Sequence, residues 1–224
     1  MAASESRLAV ISLKKGVLFE EQYNYLYSVT LSPGQKYVQL LDKVDASEGR
    51  TIIISLAALK TTAVFKENAQ SNYYVKTSYP LVRFSSDDAL LFRYNAKTIE
   101  VYTPEGELKR VIKSGIVQQI EVSLVSNAES YLVAAAFLDS KSNKGNLLLF
   151  THDKEEPLYE KSINKAEEVR IKFSPVSNSF LIELQTYFDP TGKSYYGEYG
   201  LYLYSHTSNK ITKVKTHQGP LHDF

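Results

Sequence analysis

An all-β chain made of repeated four-stranded units is what this sequence predicts, and three observations carry the prediction. Five short β-rich runs end in two apolar or aromatic residues and a hydroxyl: Val10-Ile11-Ser12, Ile53-Ile54-Ser55, Val101-Tyr102-Thr103, Leu149-Phe150-Thr151 and Leu203-Tyr204-Ser205. Their hydroxyls stand 43, 48, 48 and 54 residues apart, a period that belongs to strand repeats stacked around an axis. A second motif, apolar-x-apolar followed by a turn rich in Ser, Pro, Asp or Asn, falls between most of them. Finally, apolar residues do not recur at helical spacing over any long window, and β-branched and aromatic types dominate, with 17 Tyr and 10 Phe. Together these describe a β-propeller of four-stranded antiparallel blades.

The elements follow in order within each unit. The second motif gives the first strand and its turn: Val29-Thr30-Leu31-Ser32-Pro33-Gly34, Val82-Arg83-Phe84-Ser85-Ser86-Asp87-Asp88, Val122-Ser123-Leu124-Val125-Ser126-Asn127 and Ile171-Lys172-Phe173-Ser174-Pro175-Val176-Ser177-Asn178. Alternation of period two places one face inward, and the polar cluster turns the chain. Nearly continuous apolar runs come next, at Tyr37–Leu41, Ala89–Tyr94, Tyr131–Phe137 and Phe180–Leu184, as suits strands covered on both faces. After a variable loop come the hydroxyl-ended strand and a more polar outer strand: Val17–Glu20, Ala63–Lys66, Arg110–Ile112, Leu158–Lys161 and Ile211–Lys215. Ser55–Lys60 is the one short stretch that could coil into a helical turn.

The units span approximately residues 7–20 (partial), 26–66, 79–113, 119–162, 168–216 and 220–224, the last being the start of another blade. About four complete blades with partial blades at both ends read as an incomplete part of a larger propeller.

Composition narrows the class of function. The chain has 224 residues, 43% hydrophobic and 23% charged, as in ordinary globular proteins. It has no Cys, which removes disulfides, thiolate metal sites and cysteine nucleophiles. Met1-Ala2-Ala3-Ser4-Glu5-Ser6 is no signal peptide, and no apolar run approaches membrane-spanning length. The expectation is a cytoplasmic protein that does not engage a membrane. The net charge of +1 leaves any RNA contact to local clusters.

Catalytic and cofactor motifs are missing. Asp189-Pro190-Thr191-Gly192-Lys193-Ser194 ends like a phosphate-binding loop, but Tyr187 stands where its first glycine belongs and a strand follows instead of a helix. His152 and His206 fall in turns, where solvated histidines are expected; His217 and His222 lack a third metal ligand. No nucleophile elbow occurs. Glu155-Glu156 and Glu167-Glu168 read as solvated charge. We therefore expect no enzyme, no metal and no cofactor.

Two kinds of cluster are suited to binding. Basic residues gather at outer strands and their turns: Lys14-Lys15, Lys109-Arg110 with Lys113, and Lys210, Lys213 and Lys215. They serve either as edge protection or as a rim that follows an RNA backbone. The richer feature is Tyr187 to Gly200, a long connection with five aromatics around Lys193. Such a segment can stack bases and hold a phosphate, or pack on a neighbouring blade. A further polar loop, residues 139–145, carries Lys141 and Lys144.

Asp189-x-Thr191-Gly192-x-Ser194-Tyr195-Tyr196-Gly197-Glu198, followed by Gly219-Pro220-Leu221-His222-Asp223, resembles the N-terminal propeller of the eukaryotic translation initiation factor 2A family. Elsewhere the similarity is one of blade pattern, in order over most of the chain. The resemblance implies a WD-type repeat propeller larger than four blades, with a lysine-rich tail absent here. It also implies binding of the small ribosomal subunit and initiator methionyl-tRNA, with other initiation factors as further partners. Lys193, Tyr195, Tyr196 and Glu198 are the candidate RNA- or ribosome-binding residues. Two alternatives stay open: a protein–protein scaffold propeller of an initiation-factor complex, and the gating propeller of a serine peptidase.

Overall fold

The computed structural model describes residues 6–43, 48–68, 82–94, 98–113, 116–126, 130–138, 145–154, 156–163, 166, 168–186 and 198–215. Among them are eighteen strands and no helix. Strands β1 (Ser6–Ser12) and β2 (Gly16–Tyr23) form a two-stranded antiparallel sheet. Blade 1 is β3 (Leu26–Leu31), β4 (Tyr37–Lys43), β5 (Glu48–Ser55) and β6 (Lys60–Asn68). Blade 2 is β7 (Val82–Phe84), β8 (Leu91–Tyr94), β9 (Thr98–Tyr102) and β10 (Leu108–Lys113). Blade 3 is β11 (Ile116–Val122), β12 (Leu132–Leu138), β13 (Gly145–Thr151) and β14 (Tyr159–Ile163). Blade 4 is β15 (Glu168–Phe173), β16 (Phe180–Thr186), β17 (Glu198–Ser205) and β18 (Lys210–Val214). Every blade is a meander with neighbouring strands paired in chain order, which makes this a β-propeller architecture. The strand start foreseen at residues 220–224 lies outside the described residues.

Apolar faces between successive blades hold the sheets together. β12 shows the logic best. Leu132, Ala134 and Ala136 point into a core shared with Val169, Ile171 and Ile182 of blade 4. Val133, Ala135 and Phe137, the alternate set, point into a core shared with Phe92, Tyr94 and Ile99 of blade 2. That is why this strand reads as a continuous apolar run: both faces are covered. Its three alanines are fully buried, and their small side chains let the sheets approach. Ile53, Ala63 and Phe65 meet Val82, Phe84 and Leu91 between blades 1 and 2. Leu8 and Phe19 of the two-stranded sheet pack on Val38, Leu40, Ile52 and Ile54.

The repeated hydroxyl has a local cause. It ends the third strand and accepts amide hydrogens from the turn that leads into the fourth. Ser12 Oγ accepts from Lys14 and Lys15 at 3.3 and 3.2 Å, Ser55 Oγ from Ala58 at 3.2 Å, Thr103 Oγ1 from Glu107 at 3.3 Å and Ser205 Oγ from Ser208 at 3.5 Å. In these four units a turn cap marks the period; in blade 3 Thr151 keeps the position, but its turn is closed by the Lys154 amide donating to the Thr151 carbonyl at 3.3 Å.

Two local expectations change. Ser55–Lys60 is no helical turn: β5 and β6 stay paired up to Ser55↔Lys60, so the four residues between must reverse the chain, with Leu59 at φ 50°. In blade 3 the first strand ends at Val122, not at Leu124. Ser123 opens the turn, donating its amide to the Leu132 carbonyl at 2.9 Å, as Ser85 does to Leu90 and Ser174 to Ser179. The apolar-x-apolar pair is thus Ile120-Glu121-Val122, in step with Val82-Arg83-Phe84.

Candidate functional site

The turns that join first to second strands meet between blades and lock them. Asp88 sits at φ 65° in the blade 2 turn, 2% exposed. It accepts the Ser32 hydroxyl at 2.6 Å and the amides of Gly34 and Lys36 at 3.0 and 3.1 Å, all from blade 1. A Cβ on Gly34 would lie 2.7 Å from the same carboxylate, so the close approach requires glycine. Between blades 3 and 4 the equivalent bond runs from Ser123 Oγ to Asn178 Oδ1 at 2.6 Å. Between blades 2 and 3, Tyr131 donates to Asp87 at 2.5 Å and Ser86 to the Ser126 carbonyl at 2.8 Å. Burial resists ionisation of Asp87, yet the bonds from Tyr131, Ala89 and Ser85 outweigh it and hold the carboxyl below its usual range. Burial and the same Asp87 contact push the Tyr131 phenol up to about 12.

Blade 4 carries the aromatic connection. β16 and β17 pair from Phe180↔Tyr204 to Thr186↔Glu198. At the last rungs Gln185 Nε2 donates to Tyr199 Oη at 2.6 Å, a side-chain clasp across the base of the hairpin. Beneath it Glu183 is 1% exposed, with the Arg170 guanidinium 3.2 Å away. Burial pushes its carboxyl above the usual range, with Arg170 opposing and Glu168 adding to the rise. Of the predicted binding residues, Glu198 begins β17 opposite Thr186, while Lys193, Tyr195 and Tyr196 lie outside the described residues. The phosphate-loop look-alike at 189–194 and the loop at 139–144 lie outside them too.

The basic clusters divide by role. Arg110 is a strut from blade 2 to blade 3: its guanidinium donates to the carbonyls of His152 and Lys154 at 2.6 and 2.8 Å. Lys109 is ion-paired to Glu107 at 2.7 Å. Arg110 is thereby committed to the fold, whereas the Lys109 pair is exposed, so the predicted rim loses one of its cations. Lys210, Lys213 and Lys215 are exposed at the outer edge of blade 4, the blade that carries the aromatic connection. Beside them a groove of about 140 Å³ runs between the outer strands of blades 3 and 4, with Lys161, Ser162, Tyr202 and Ile211 on its walls.

His152 is not a solvated turn residue. Its Nδ1 accepts the Tyr131 amide at 3.1 Å, so the ring is neutral there, and its face lies 5.0 Å from the Tyr131 ring. Burial lowers its pKa; Asp153 opposes this and Arg110 adds to it. His206 is exposed as expected. Among the described residues no three His, Asp or Glu side chains group to hold a metal, and no helix is long and apolar enough to cross a membrane. The latches are not evident from strand patterning, although a Ser opening the turn with Asp or Asn three or four residues later, as in Ser85/Asp88 and Ser174/Asn178, is their sequence signal.

Comparison with known proteins gives a family match over the blade 4 region and broader similarity along the chain. Residues 161–224 match the family model of eukaryotic translation initiation factor eIF2A. Eukaryotic translation initiation factor 2A of Dictyostelium discoideum is 21% identical over 199 residues, 87% of this chain and 32% of that protein. Its counterpart in Schizosaccharomyces pombe is 26% identical over 144 residues, 63% of this chain and 25% of that protein. The chain thus spans about a third or less of these relatives. A solved eukaryotic initiation factor superposes with a TM-score of 0.67 at 16% identity, over 93% of this chain and 49% of its own. The resemblance carried by the Asp189–Glu198 motif holds in sequence and in fold: this chain is similar to initiation factors of that kind.

Proposed function

We propose that this chain, a propeller related to translation initiation factor 2A, is a cytoplasmic, non-catalytic platform that binds the small ribosomal subunit and initiator methionyl-tRNA. One observation carries the reading. The stretch matching the family, 161–224, coincides with the blade whose β16–β17 hairpin is clasped at its base, whose sequence between those strands carries Lys193, Tyr195 and Tyr196, and whose outer strand and the residue after it expose Lys210, Lys213 and Lys215. Aromatic rings stack bases, and lysines track phosphates at a salt-dependent gain. Stacked sheets supply what such a surface needs, a base that does not deform on binding. Other initiation factors are further candidate partners.

The test is co-sedimentation of the chain with small subunits and filter binding of initiator tRNA at several salt concentrations. Binding that weakens with salt and falls at least ten-fold in a Lys193→Ala, Tyr195→Ala, Tyr196→Ala variant supports the reading. Stacking lost per base is about 1–3 kcal/mol, which sets that expectation. Absence of binding at low salt, in this chain and in a full-length relative alike, would sink it. Protein partners that survive nuclease treatment, without RNA binding, would replace it with a scaffold role.

A further inference from the structure

Between blades 3 and 4, four turns converge on a cavity of about 310 Å³. Ser126 and Ser130 come from the first turn of blade 3, and Lys154 from its third-to-fourth-strand turn. Asn178 and His206 come from the corresponding two turns of blade 4. Leu132 lies among the walls. The volume is at the lower end for a small-ligand site.

The polar groups here are biased towards donation. Asn178 spends its carbonyl oxygen on the Ser123 hydroxyl, which leaves its amide NH₂ as the free end. Lys154 is exposed, and its backbone is pinned by the 2.8 Å bond from Arg110 to its carbonyl. Among the described residues, no acidic residue lines the cavity. Asp153 is exposed and does not itself line the cavity, although its carboxylate lies beside the lining residues Thr151 and Lys154. An ammonium, an imidazole, an amide and a hydroxyl around one space make a receptor for an oxyanion, since each can donate to it and one carries full charge.

The other junctions lack this combination. Where blade 4 has Asn178, blade 2 has Asp88, whose carboxylate would repel an anion at the junction of blades 1 and 2. Three residues past the strand-ending hydroxyl, the place of Lys154 is taken by Ala58 in blade 1 and Gly106 in blade 2. The residue just past it, His206 in blade 4, is Pro104 in blade 2; in blade 3 it is His152, whose Nδ1 is taken by Tyr131. The shared turn geometry therefore brings these four donors together at one junction only, among the described residues.

We propose that this cavity binds a phosphate group, with Lys154 as the charged contact and His206, Asn178 and Ser130 as hydrogen-bond donors. Two sources share that chemistry, a free phosphate and the phosphodiester of an RNA strand. The site stands apart from the ribosome reading above, because its test needs neither ribosome nor tRNA.

The experiment is titration of the ¹⁵N-labelled chain, at low salt, with inorganic phosphate and separately with a single-stranded pentaribonucleotide. Amide shifts at Lys154, Asn178 and His206 report occupancy. Lys154→Met is expected to weaken phosphate binding about ten-fold or more, the loss of one charge-assisted contact. Asn178→Asp is the sharper variant. It keeps an acceptor for Ser123, as Asp88 does for Ser32, so the blade junction stays latched while a negative charge enters the cavity. It should abolish phosphate binding with the unfolding midpoint unchanged, and Lys60→Met on the outer strand of blade 1 should leave binding intact. A pentaribonucleotide that binds at least ten-fold tighter than phosphate, with the same variant losses, assigns the site to an RNA backbone. Equal affinity assigns it to free phosphate. No shift at these residues with 20 mM phosphate (about 20-fold above a 1 mM Kd), or binding that Lys154→Met and Asn178→Asp leave unaltered, overturns the proposal.

Discussion

Replacing Asp88 by Ala is the most direct test of how the blades are held in register. Three donors converge on this carboxylate from the neighbouring blade. In Asp88→Ala the Ser32 hydroxyl, itself 2% exposed, loses its acceptor with little access to water, a cost of about 1–3 kcal/mol. The amides of Gly34 and Lys36 are only partly buried and can recover water, so each loses about 1 kcal/mol or less. Alanine must also hold φ near 65°, where Asp is better tolerated, adding about 1 kcal/mol. Removing a buried charge returns part of this, so the net expectation is about 3–4 kcal/mol of destabilisation. For a chain of this size that is roughly 6–16 °C in Tm. Asp88→Asn keeps the turn conformation and one acceptor, the arrangement Asn178 already uses with Ser123 at 2.6 Å, and should cost about 1–2 kcal/mol. Urea unfolding followed by circular dichroism gives both values. Hydrogen exchange at Ser32–Tyr37 should locate the loss at the blade 1–blade 2 junction. If the Ala and Asn variants prove equally stable, or the Ala variant lies within about 1 kcal/mol of the parent, the latch is ornamental and the reasoning fails.

Two further expectations concern buried titrating groups. The folded-state pKa of His152 is lowered by burial, so the unfolded chain binds its proton first as pH falls. His152 therefore contributes stability in full above about pH 6.5, and this declines as pH drops below that value towards the folded pKa. The difference in unfolding midpoint between the parent and His152→Gln, measured from pH 7.5 to 5, should shrink on acidification; a constant difference would show that the Tyr131 bond is indifferent to protonation. Glu183 behaves in the opposite sense, because its folded pKa is raised: its favourable contribution is complete below the usual glutamate pKa and is lost as pH rises through the folded value. Glu183→Gln should thus be at least as stable as the parent at pH 7 and lose that advantage near pH 4, which thermal melts at the two pH values will check.

Strand patterning made the blades legible because each depends on local chemistry. Alternation in Val82-Arg83-Phe84 and the unbroken run from Leu132 to Phe137 both follow from which faces are covered, and covering is what apolar residues report. The register at Val122 was misread because Ser123-Leu124 continues the alternation in sequence, while the Ser123 hydroxyl, bonded 55 residues away to Asn178, decides where the strand stops. The same distance hid the latches and the cavity. Lys154, Asn178 and His206 are unremarkable in their own turns; only the stacking of blade 4 on blade 3 brings them to one space. Arg110 illustrates the converse, since its charge suggested a ligand but its fork is spent on two backbone carbonyls.

Two kinds of force thus have separate tasks in this fold. Apolar burial between blades is large but non-directional. With Val, Ile, Leu and Ala on facing sheets, one blade sliding a strand spacing past the next would bury much of the same area. Hydrogen bonds from Ser32 to Asp88, Tyr131 to Asp87 and Ser123 to Asn178 are individually modest but geometrically strict. They forbid the slide, and all lie in the turns at the first-to-second-strand end of the blades. That end is also where the cavity between blades 3 and 4 opens. A latch with a neutral amide, unlike one with a carboxylate, fixes register without filling the junction with negative charge. The exchange of Asp88 for Asn178 between equivalent turns is therefore what turns a structural junction into one able to receive an anion.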